Sequence, residues 1–152
     1  CMNGLAALEG MLECLEVAVI QRGIPFLGIC VGMQLMAAKG LEHGERPGLG
    51  WFPGSVGRLQ PSDNTLKIPH MGWNDLTFHR THPVFSGLPK SPHMYFVHSY
   101  AYTANDHNEI IAHADYGGLI SAAIGRDNLI GVQFHPDKSQ EQGLKVLANF
   151  VR

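Results

Sequence analysis

The first twenty residues carry apolar side chains at spacings of three and four, which is the pattern of an amphipathic helix. Gly23 follows this pattern and is suited to end the helix, because glycine adopts the left-handed backbone conformation at low cost. A continuous apolar run from Pro25 to Ile29 then predicts a short buried strand. From Val31 to Lys39 the pattern is helical again, and Gly40 ends it. The first forty residues therefore predict helix, strand and helix, with the first helical stripe formed by Leu5, Leu8, Leu12, Leu15 and Val19.

Beyond Gly40 the chain changes character. The segment from Leu41 to Ser91 is rich in Gly and Pro, which favours loops and short strands. After Met94 strand patterns dominate, so an antiparallel accessory region accompanies the α/β part. The predicted strands are Val56–Leu59, Thr65–Ile68, Tyr95–His98, Ile110–Ala114, Ser121–Gly125 and Leu129–Phe134.

A last helix is predicted from Ser139 to Arg152. It opens with an S-x-x-Q capping box, in which the serine and glutamine side chains bond to each other's backbone N–H groups. The two capping residues are Ser139 and Gln142. The expected inner apolar stripe of the helix consists of Leu144, Leu147 and Val151.

Composition narrows the class of protein. The 152 residues are 45% hydrophobic and 16% charged, with a formal net charge of -2, which is typical of one globular domain, here expected over 1–152. The scattered Lys and Arg residues argue against a nucleic-acid partner, and no apolar stretch is long enough to span a membrane. Three cysteines do not form a disulfide framework, so we expect a cytoplasmic protein, with Cys14 as a small core residue.

The stretch GICVGMQ has the G-x-nucleophile-x-G form of a nucleophile elbow, in which a strand turns sharply into a helix. Cys30 would stand at the apex, between glycines that leave room for neighbouring backbone. At a helix N-terminus we expect the pKa of its thiol to fall, which would raise the thiolate fraction. The alternative is a structural cysteine buried between two packing glycines.

A cysteine nucleophile needs a histidine that is near it in space. His135 follows an apolar strand, and Asp137, two residues later, could orient its ring. The alternative is a loop histidine beside a solvated aspartate. His79 and His82, in HRTH, have metal-ligand spacing but no further ligands around them, so we expect a surface loop and no metal or other cofactor.

Four blocks, GICVGMQ, PHMGWN, YFVHSY and GVQFHPDKSQ, together resemble the class I (triad) glutamine amidotransferases over essentially the whole chain. The second and third blocks are most similar to members that serve histidine biosynthesis. The resemblance implies a flavodoxin-like α/β fold, with a mostly parallel sheet and helices on both faces. It also implies that glutamine is the substrate, that no cofactor is needed, and that ammonia passes to a cyclase subunit with a (β/α)8 barrel.

The same resemblance implies roles for individual residues. Cys30 would attack glutamine and form a thioester, His135 would act as base and acid, and Asp137 would orient His135. The substrate would be held by Gly28, Val31, Gln34, Ser99 and Tyr100, with the Val31 N–H as an oxyanion donor. The cyclase would be met by Pro69, Met71, Trp73 and Lys138, although Trp73 could instead be a core aromatic.

The sequence departs from the family pattern in two ways. The triad carboxylate is more often glutamate in this family and is the shorter Asp137 here. Family members also begin with a strand, a helix and a P-G-x-G loop, and we expect this chain to lack them. Two readings therefore stand beside the leading one: another class I amidotransferase or a γ-glutamyl hydrolase, and an inactive, truncated binding fragment.

Overall fold

The computed structural model describes residues 1–152 and contains more strands than helices. The α-helices are α1 (Met2–Ala6), α2 (Met11–Leu15), α3 (Val31–Leu35) and α4 (Gln140–Phe150). A π-helical turn covers Glu16–Gln21, and 3-10 turns cover Pro83–Phe85, His107–Glu109 and Pro136–Lys138. The strands are β1 (Phe26–Ile29), β2 (Ala37–Gly40), β3 (Arg46–Pro47), β4 (Phe52–Arg58), β5 (His70–Asp75), β6 (Thr77–Phe78), β7 (His93–His98), β8 (Tyr100–Ala104), β9 (Ile110–Asp115), β10 (Leu119–Arg126) and β11 (Leu129–Val132).

The main sheet has five strands in the order β1-β11-β10-β9-β6. Only β1 and β11 pair in parallel, whereas the other neighbours are antiparallel. The prediction of an α/β fold is confirmed, but a mostly parallel sheet is wrong for these residues. The physical reason is connection length: only Asp127 and Asn128 separate β10 from β11, and a turn that short can join antiparallel strands only.

Helices lie on both faces of the main sheet, as expected, and two apolar clusters fill the space between the layers. Along β11 the side chains alternate, so Leu129 belongs to the cluster around Met33 of α3, and Ile130 to the cluster that contains Val146 of α4. At Gly131 a Cβ would come within 2.7 Å of the Met33 side chain, so the glycine lets α3 pack closely on β11. The strand that leads towards His135 is thereby fixed between two packed layers.

The second sheet, ordered β3-β2-β4-β8, corrects the prediction of a helix up to Lys39. The helix ends at Leu35, and Ala37–Gly40 forms β2, which pairs with β3 and with β4. Alanine favours a helix locally, but backbone pairing on both sides of β2 outweighs that small preference. A separate antiparallel pair joins β5 to β7. The sequence pattern missed β5, because it placed a strand at Thr65–Ile68, where the structure has none.

At the N-terminus the predicted single helix is broken. Gly10 adopts a positive φ of 73° between α1 and α2, and of the predicted stripe only Val19 is buried. Cys14 is exposed, so its assignment to the core is wrong. The chain is thus held to the core mainly by the end of this segment.

The closing helix forms, but its expected cap and stripe do not. The Ser139 hydroxyl donates to the His135 carbonyl oxygen at 2.6 Å and accepts the Tyr95 N–H at 3.0 Å, instead of capping α4. Gln142 accepts the His93 N–H at 2.7 Å. The buried face is formed by Gly143 and Val146, whereas Leu144 is 58% and Val151 79% exposed. Both polar side chains therefore tie the strand β7 to the segment after His135.

None of the helices combines the length and the apolar character that a membrane span requires.

Candidate active site

The backbone at Cys30 has φ 50° and ψ −109°, outside the regions that side-chain-bearing residues favour. A non-glycine residue held there is strained, which is typical of the apex of a nucleophile elbow. Two hydrogen bonds hold this backbone: the Cys30 N–H donates to Val132 O at 2.8 Å, and the Cys30 carbonyl oxygen accepts the Gln34 N–H at 3.1 Å. The strand-to-helix turn predicted from the sequence is present, and it places the thiol at the end of β1.

The two flanking glycines are not equivalent. A Cβ at Gly28 would lie 2.7 Å from the backbone nitrogen of Met33 and 2.8 Å from the carbonyl carbon of Gly32. A Cβ at Gly32 would meet nothing within 4 Å. The expectation that both positions require glycine is therefore wrong for Gly32. Gly28 is buried under the turn, where it lets α3 approach β1, and its contact with a substrate stays a prediction.

The Cys30 sulfur has three polar neighbours. The Gln133 Nε2 lies 3.6 Å from it, Val97 O lies 4.0 Å from it, and the Val31 N–H points to it. Burial nevertheless raises the pKa of the thiol above its usual value, and the hydrogen bonds from Val31 and Gln133 and the charge of Lys138 offset this only in part. The expected lowering of the thiol pKa is wrong, because loss of water outweighs the short helix.

His135 shares the sheet edge with Cys30. Since β1 and β11 are parallel with Ile29 opposite Val132, the residues that follow both strands emerge on the same side. The His135 N–H donates to Tyr95 O at 2.9 Å. Burial lowers the pKa of its imidazole, Lys138 lowers it further, and Asp137 acts in the opposite direction. A neutral imidazole at neutral pH can accept a proton, which is what a general base needs.

Asp137 contributes charge and not a hydrogen bond in this structure. Its Oδ1 lies 3.8 Å from His135 Nδ1, and its side chain is 62% exposed. It sits in the 3-10 turn Pro136–Lys138, which directs it towards solvent. A separation of this size is too long for a hydrogen bond.

Gln34 and Tyr100 are brought together, although they are 66 residues apart: Gln34 Nε2 donates to Tyr100 O at 2.8 Å. Tyr100 O also accepts from His98 Nδ1, and Ser99 O accepts from the Leu59 N–H. The backbone carbonyl oxygens of Ser99 and Tyr100 are thus already paired within the chain, and the contact of this backbone with substrate stays a prediction. These oxygens hold Gln34 and the strand ends in place.

A cavity of about 340 Å³ opens beside the elbow. Val31 and Gln34 line it, together with Glu42 and Arg46, which sequence reasoning did not single out. A carboxylate and a guanidinium in one cavity suit a zwitterionic amino acid, whose two charges need opposite partners. The only signal in the sequence was two opposite charges four residues apart in a glycine-rich loop.

On β5 the predicted partner residues face outward. Met71 is 61% and Trp73 43% exposed, and Pro69 and Lys138 are exposed as well. Because Trp73 is this exposed, its interpretation as a core aromatic is wrong. Its ring stacks on His93 with ring centroids 5.6 Å apart.

Below that face lies a buried histidine pair. His70 Nδ1 and His98 Nε2 are 3.0 Å apart, and Asn74 lies 3.3 Å from the other ring nitrogen of His70. Burial lowers the pKa of both His70 and His98, so both rings are neutral at neutral pH. Since His98 Nδ1 donates to Tyr100 O, its Nε2 accepts from His70 Nδ1. Burial and the neighbouring His98 lower the pKa of His70 to about 4.

The histidines considered for a metal do not form a metal site. His79 contacts His113 and not His82. No group of three or more His, Cys, Asp or Glu side chains in the chain could hold an ion.

Comparison with known proteins shows the family of the chain. Residues 3–152 match the family model of the glutamine amidotransferase class-I family. The chain is 54% identical over 151 residues to the HisH subunit of imidazole glycerol phosphate synthase from Cereibacter sphaeroides, covering 99% of this chain and 71% of that protein. The HisH subunit from Rhodospirillum rubrum is 50% identical over 153 residues, covering 100% of this chain and 72% of that protein.

Solved structures agree on the fold. A crystal structure described as a glutamine amidotransferase superposes with a TM-score of 0.67 at 19% identity, covering 97% of this chain and 71% of that one. A glutamine amidotransferase from Thermotoga maritima gives a TM-score of 0.63 at 15% identity, covering 98% of this chain and 56% of that one. Because residues 3–152 of this chain match the family model, and an elbow cysteine stands at the end of β1, the chain belongs to the class I glutamine amidotransferases.

Proposed function

We propose that this chain is the glutaminase subunit of an imidazole glycerol phosphate synthase and hydrolyses glutamine to glutamate and ammonia for histidine biosynthesis. The observation that carries the proposal is the 54% identity to a HisH subunit, which extends over 99% of the chain and includes the elbow. A stand-alone γ-glutamyl hydrolase would share the elbow but would have no need of an exposed Met71 and Trp73 on β5, and the identity to HisH subunits favours this function over that of another amidotransferase.

The chemistry follows from the two neighbouring strand ends. Cys30 gives its proton to His135 as its sulfur attacks the carboxamide carbon of glutamine, and the Val31 N–H, which points to the sulfur at rest, would donate to the oxygen that becomes negative. The C–N bond then breaks, His135 returns the proton to the leaving ammonia, and a γ-glutamyl thioester remains. Water loses a proton to His135 and hydrolyses the thioester, which releases glutamate and restores the thiol.

The shifted pKa values fit this order of events. Since burial raises the pKa of Cys30 and lowers that of His135, both groups are neutral at rest. The proton therefore moves during the attack, and no stable thiolate stands ready to react with other electrophiles. Asp137 acts on His135 through its charge at 3.8 Å.

The α-amino-acid end of the substrate would lie in the cavity beside Val31 and Gln34, and its carboxamide would extend out of the cavity to Cys30, which does not line it. Glu42 would pair with the α-ammonium group of the substrate and Arg46 with its α-carboxylate, since both line that cavity.

A cyclase subunit with a (β/α)8 barrel would receive the ammonia in a cytoplasmic heterodimer. Exposed Met and Trp side chains are anchor-type residues at interfaces, which suits β5 for the contact. Lys138 is exposed directly after the proposed triad and would pair with an acidic residue of the cyclase.

The test is glutamate release by the full protein, with and without its cyclase. We expect appreciable release only with the cyclase, and a loss of about 10⁴-fold or more in Cys30→Ala, because the nucleophile is removed. The exposed Cys14 provides the control, and Cys14→Ala should leave the rate unchanged. Equal rates with and without the cyclase would argue against a gated subunit, and a Cys30→Ala rate near wild type would remove Cys30 from the mechanism.

A further inference from the structure

The starting point is the side-chain amide of Gln34. Its Nε2 lies 2.8 Å from Tyr100 O, which is a carbonyl oxygen and can only accept. The end of Gln34 that faces Tyr100 is therefore the nitrogen, and the orientation of the amide is settled by the chain itself.

The same nitrogen fixes the amide of Gln133. Gln34 Nε2 has a second hydrogen, and it points to Gln133 Oε1 at 3.0 Å. Gln133 must present its oxygen there, so its own Nε2 lies at the opposite end, 3.6 Å from the Cys30 sulfur. Gln34 thus donates to both Tyr100 O and Gln133 Oε1, and Gln133 in turn donates to the Cys30 sulfur.

Gln133 has little freedom to leave this arrangement. It directly follows β11, its side chain is fully buried, and its N–H donates to Ala122 O at 2.9 Å. A buried amide that lost either partner would leave an unpaired polar group, which is costly. The amide N–H is consequently kept next to the sulfur in the resting protein.

We propose that Gln133 is a positioning residue that donates a hydrogen bond to the Cys30 sulfur and stabilises its thiolate, while its carbonyl oxygen holds Gln34 beside the substrate cavity. The assignment rests on the proposed role of Cys30 as the nucleophile. Both hydrogens of Gln34 are engaged, so the oxygen of Gln34 is the part that can meet the substrate. An oxygen acceptor at that point suits a substrate N–H, such as that of a carboxamide, and disfavours a carboxylate.

Two variants separate the two contacts of Gln133. Gln133→Glu keeps an oxygen for Gln34 but replaces the donor at the sulfur with a carboxylate oxygen, which repels the thiolate. Gln133→Met has a similar length and removes both contacts. The comparison therefore distinguishes the effect on the thiol from the effect on Gln34, and a merely structural role would not separate them.

The measurement is the rate of alkylation of Cys30 by iodoacetamide in the full protein as a function of pH, with each labelled peptide quantified by mass spectrometry. Cys1 and Cys14 are exposed free thiols, so they provide internal controls in every sample. We expect the rate at Cys30 near neutral pH to fall roughly tenfold in Gln133→Glu and by less in Gln133→Met, as loss of a hydrogen bond to a charged group predicts. The midpoint of the profile should shift to higher pH in both, with Cys1 and Cys14 unchanged.

The KM for glutamine provides a second measurement. It should rise in Gln133→Met, which releases Gln34, and stay near wild type in Gln133→Glu, which still holds it. Midpoints equal to that of the wild type in both folded variants would overturn the proposal. Alkylation does not require glutaminase activity. A protein that fails to hydrolyse glutamine but whose variants show the shifted midpoints would therefore contradict the proposed function, while the hydrogen bond from Gln133 to the Cys30 sulfur would still be supported.

Discussion

The elbow around Cys30 and the outer face of β5 differ in whether their side chains have partners within the chain. At the elbow, Cys30, Gln34 and Gln133 contact one another and have partners within the chain. On β5 the outward residues Met71 and Trp73 expose apolar surface. The contacts at the elbow hold its geometry, whereas the outer face of β5 exposes apolar side chains to solvent.

The two regions are connected through the strands beneath them. β5 pairs with β7, and β7 carries both Val97, whose carbonyl oxygen lies near the Cys30 sulfur, and His98, which is paired with the buried His70. The comparison teaches that the geometry of the proposed reactive centre is set by internal contacts, whereas the proposed partner-facing surface lies one strand away from it.

The largest effect is expected at the elbow from Gly28→Ala. Its Cβ would stand 2.7 Å from the backbone nitrogen of Met33, so the backbone must move. We expect the free energy of unfolding to fall by about 3 kcal/mol, at the upper end of overpacking costs. The matched control is Gly32→Ala in α3, where a Cβ meets nothing within 4 Å and should stabilise the helix by up to ~1 kcal/mol. Urea denaturation measures both, and equal losses would contradict the asymmetry of the elbow.

The next effect concerns the acid sensitivity of the histidine pair beneath β5. The pKa of His70 is lowered to about 4 in the folded state, from an ordinary value of 6.5. The unfolded chain therefore binds a proton first as the pH falls, and stability is present above about pH 6.5 and lost down to about pH 4. From pH 7 to pH 5 this one group should cost on the order of 2 kcal/mol.

The measurement for the histidine pair is the free energy of unfolding at the two pH values. His70→Gln should reduce the loss between them, even though it lowers stability at both. His43→Gln removes an imidazole whose side chain is 90% exposed and serves as the control. An unchanged pH dependence in His70→Gln would contradict the buried, neutral state of the pair.

The smallest effect is expected on the outer face. Trp73→Ala should weaken binding of the proposed cyclase by about 1.4 kcal/mol, or roughly tenfold, because an exposed aromatic anchor is removed. Alkylation of Cys30 in the free protein should not change. Leu119→Ala removes a side chain that is 68% exposed at the start of β10 and should not affect binding. Calorimetric titration with the cyclase measures this, and equal affinities for wild type and Trp73→Ala would place the partner elsewhere.

Sequence reasoning predicted the elbow well because a short local pattern sets it. GICVGMQ requires a strand, a sharp turn and a helix in succession, and the structure has all three at Phe26–Ile29, Cys30 and Val31–Leu35. The C-terminal strands were found for a similar reason, since their apolar runs are continuous. The outer strand β5 was missed because PHMGWN alternates polar and apolar residues only weakly and contains Gly72.

The remaining details depend on contacts between distant residues, which no local pattern contains. The helix after the elbow stops at Leu35 because Ala37–Gly40 pairs with β4. The pKa of the Cys30 thiol is raised and not lowered because its burial in the fold outweighs the hydrogen bonds from Val31 and Gln133. Gln133 itself lies inside a block that the sequence analysis used for His135, but nothing local indicated that its side chain turns towards the sulfur.

The most direct test of the central claim is to titrate the full protein with an electrophilic glutamine analogue and map the modified residue. A nucleophile elbow that recognises glutamine predicts one label per chain, on Cys30, with glutamine protecting against it and the exposed Cys1 and Cys14 unlabelled at the same dose. Labelling of all three cysteines without protection by glutamine, or no label on Cys30, would contradict the account.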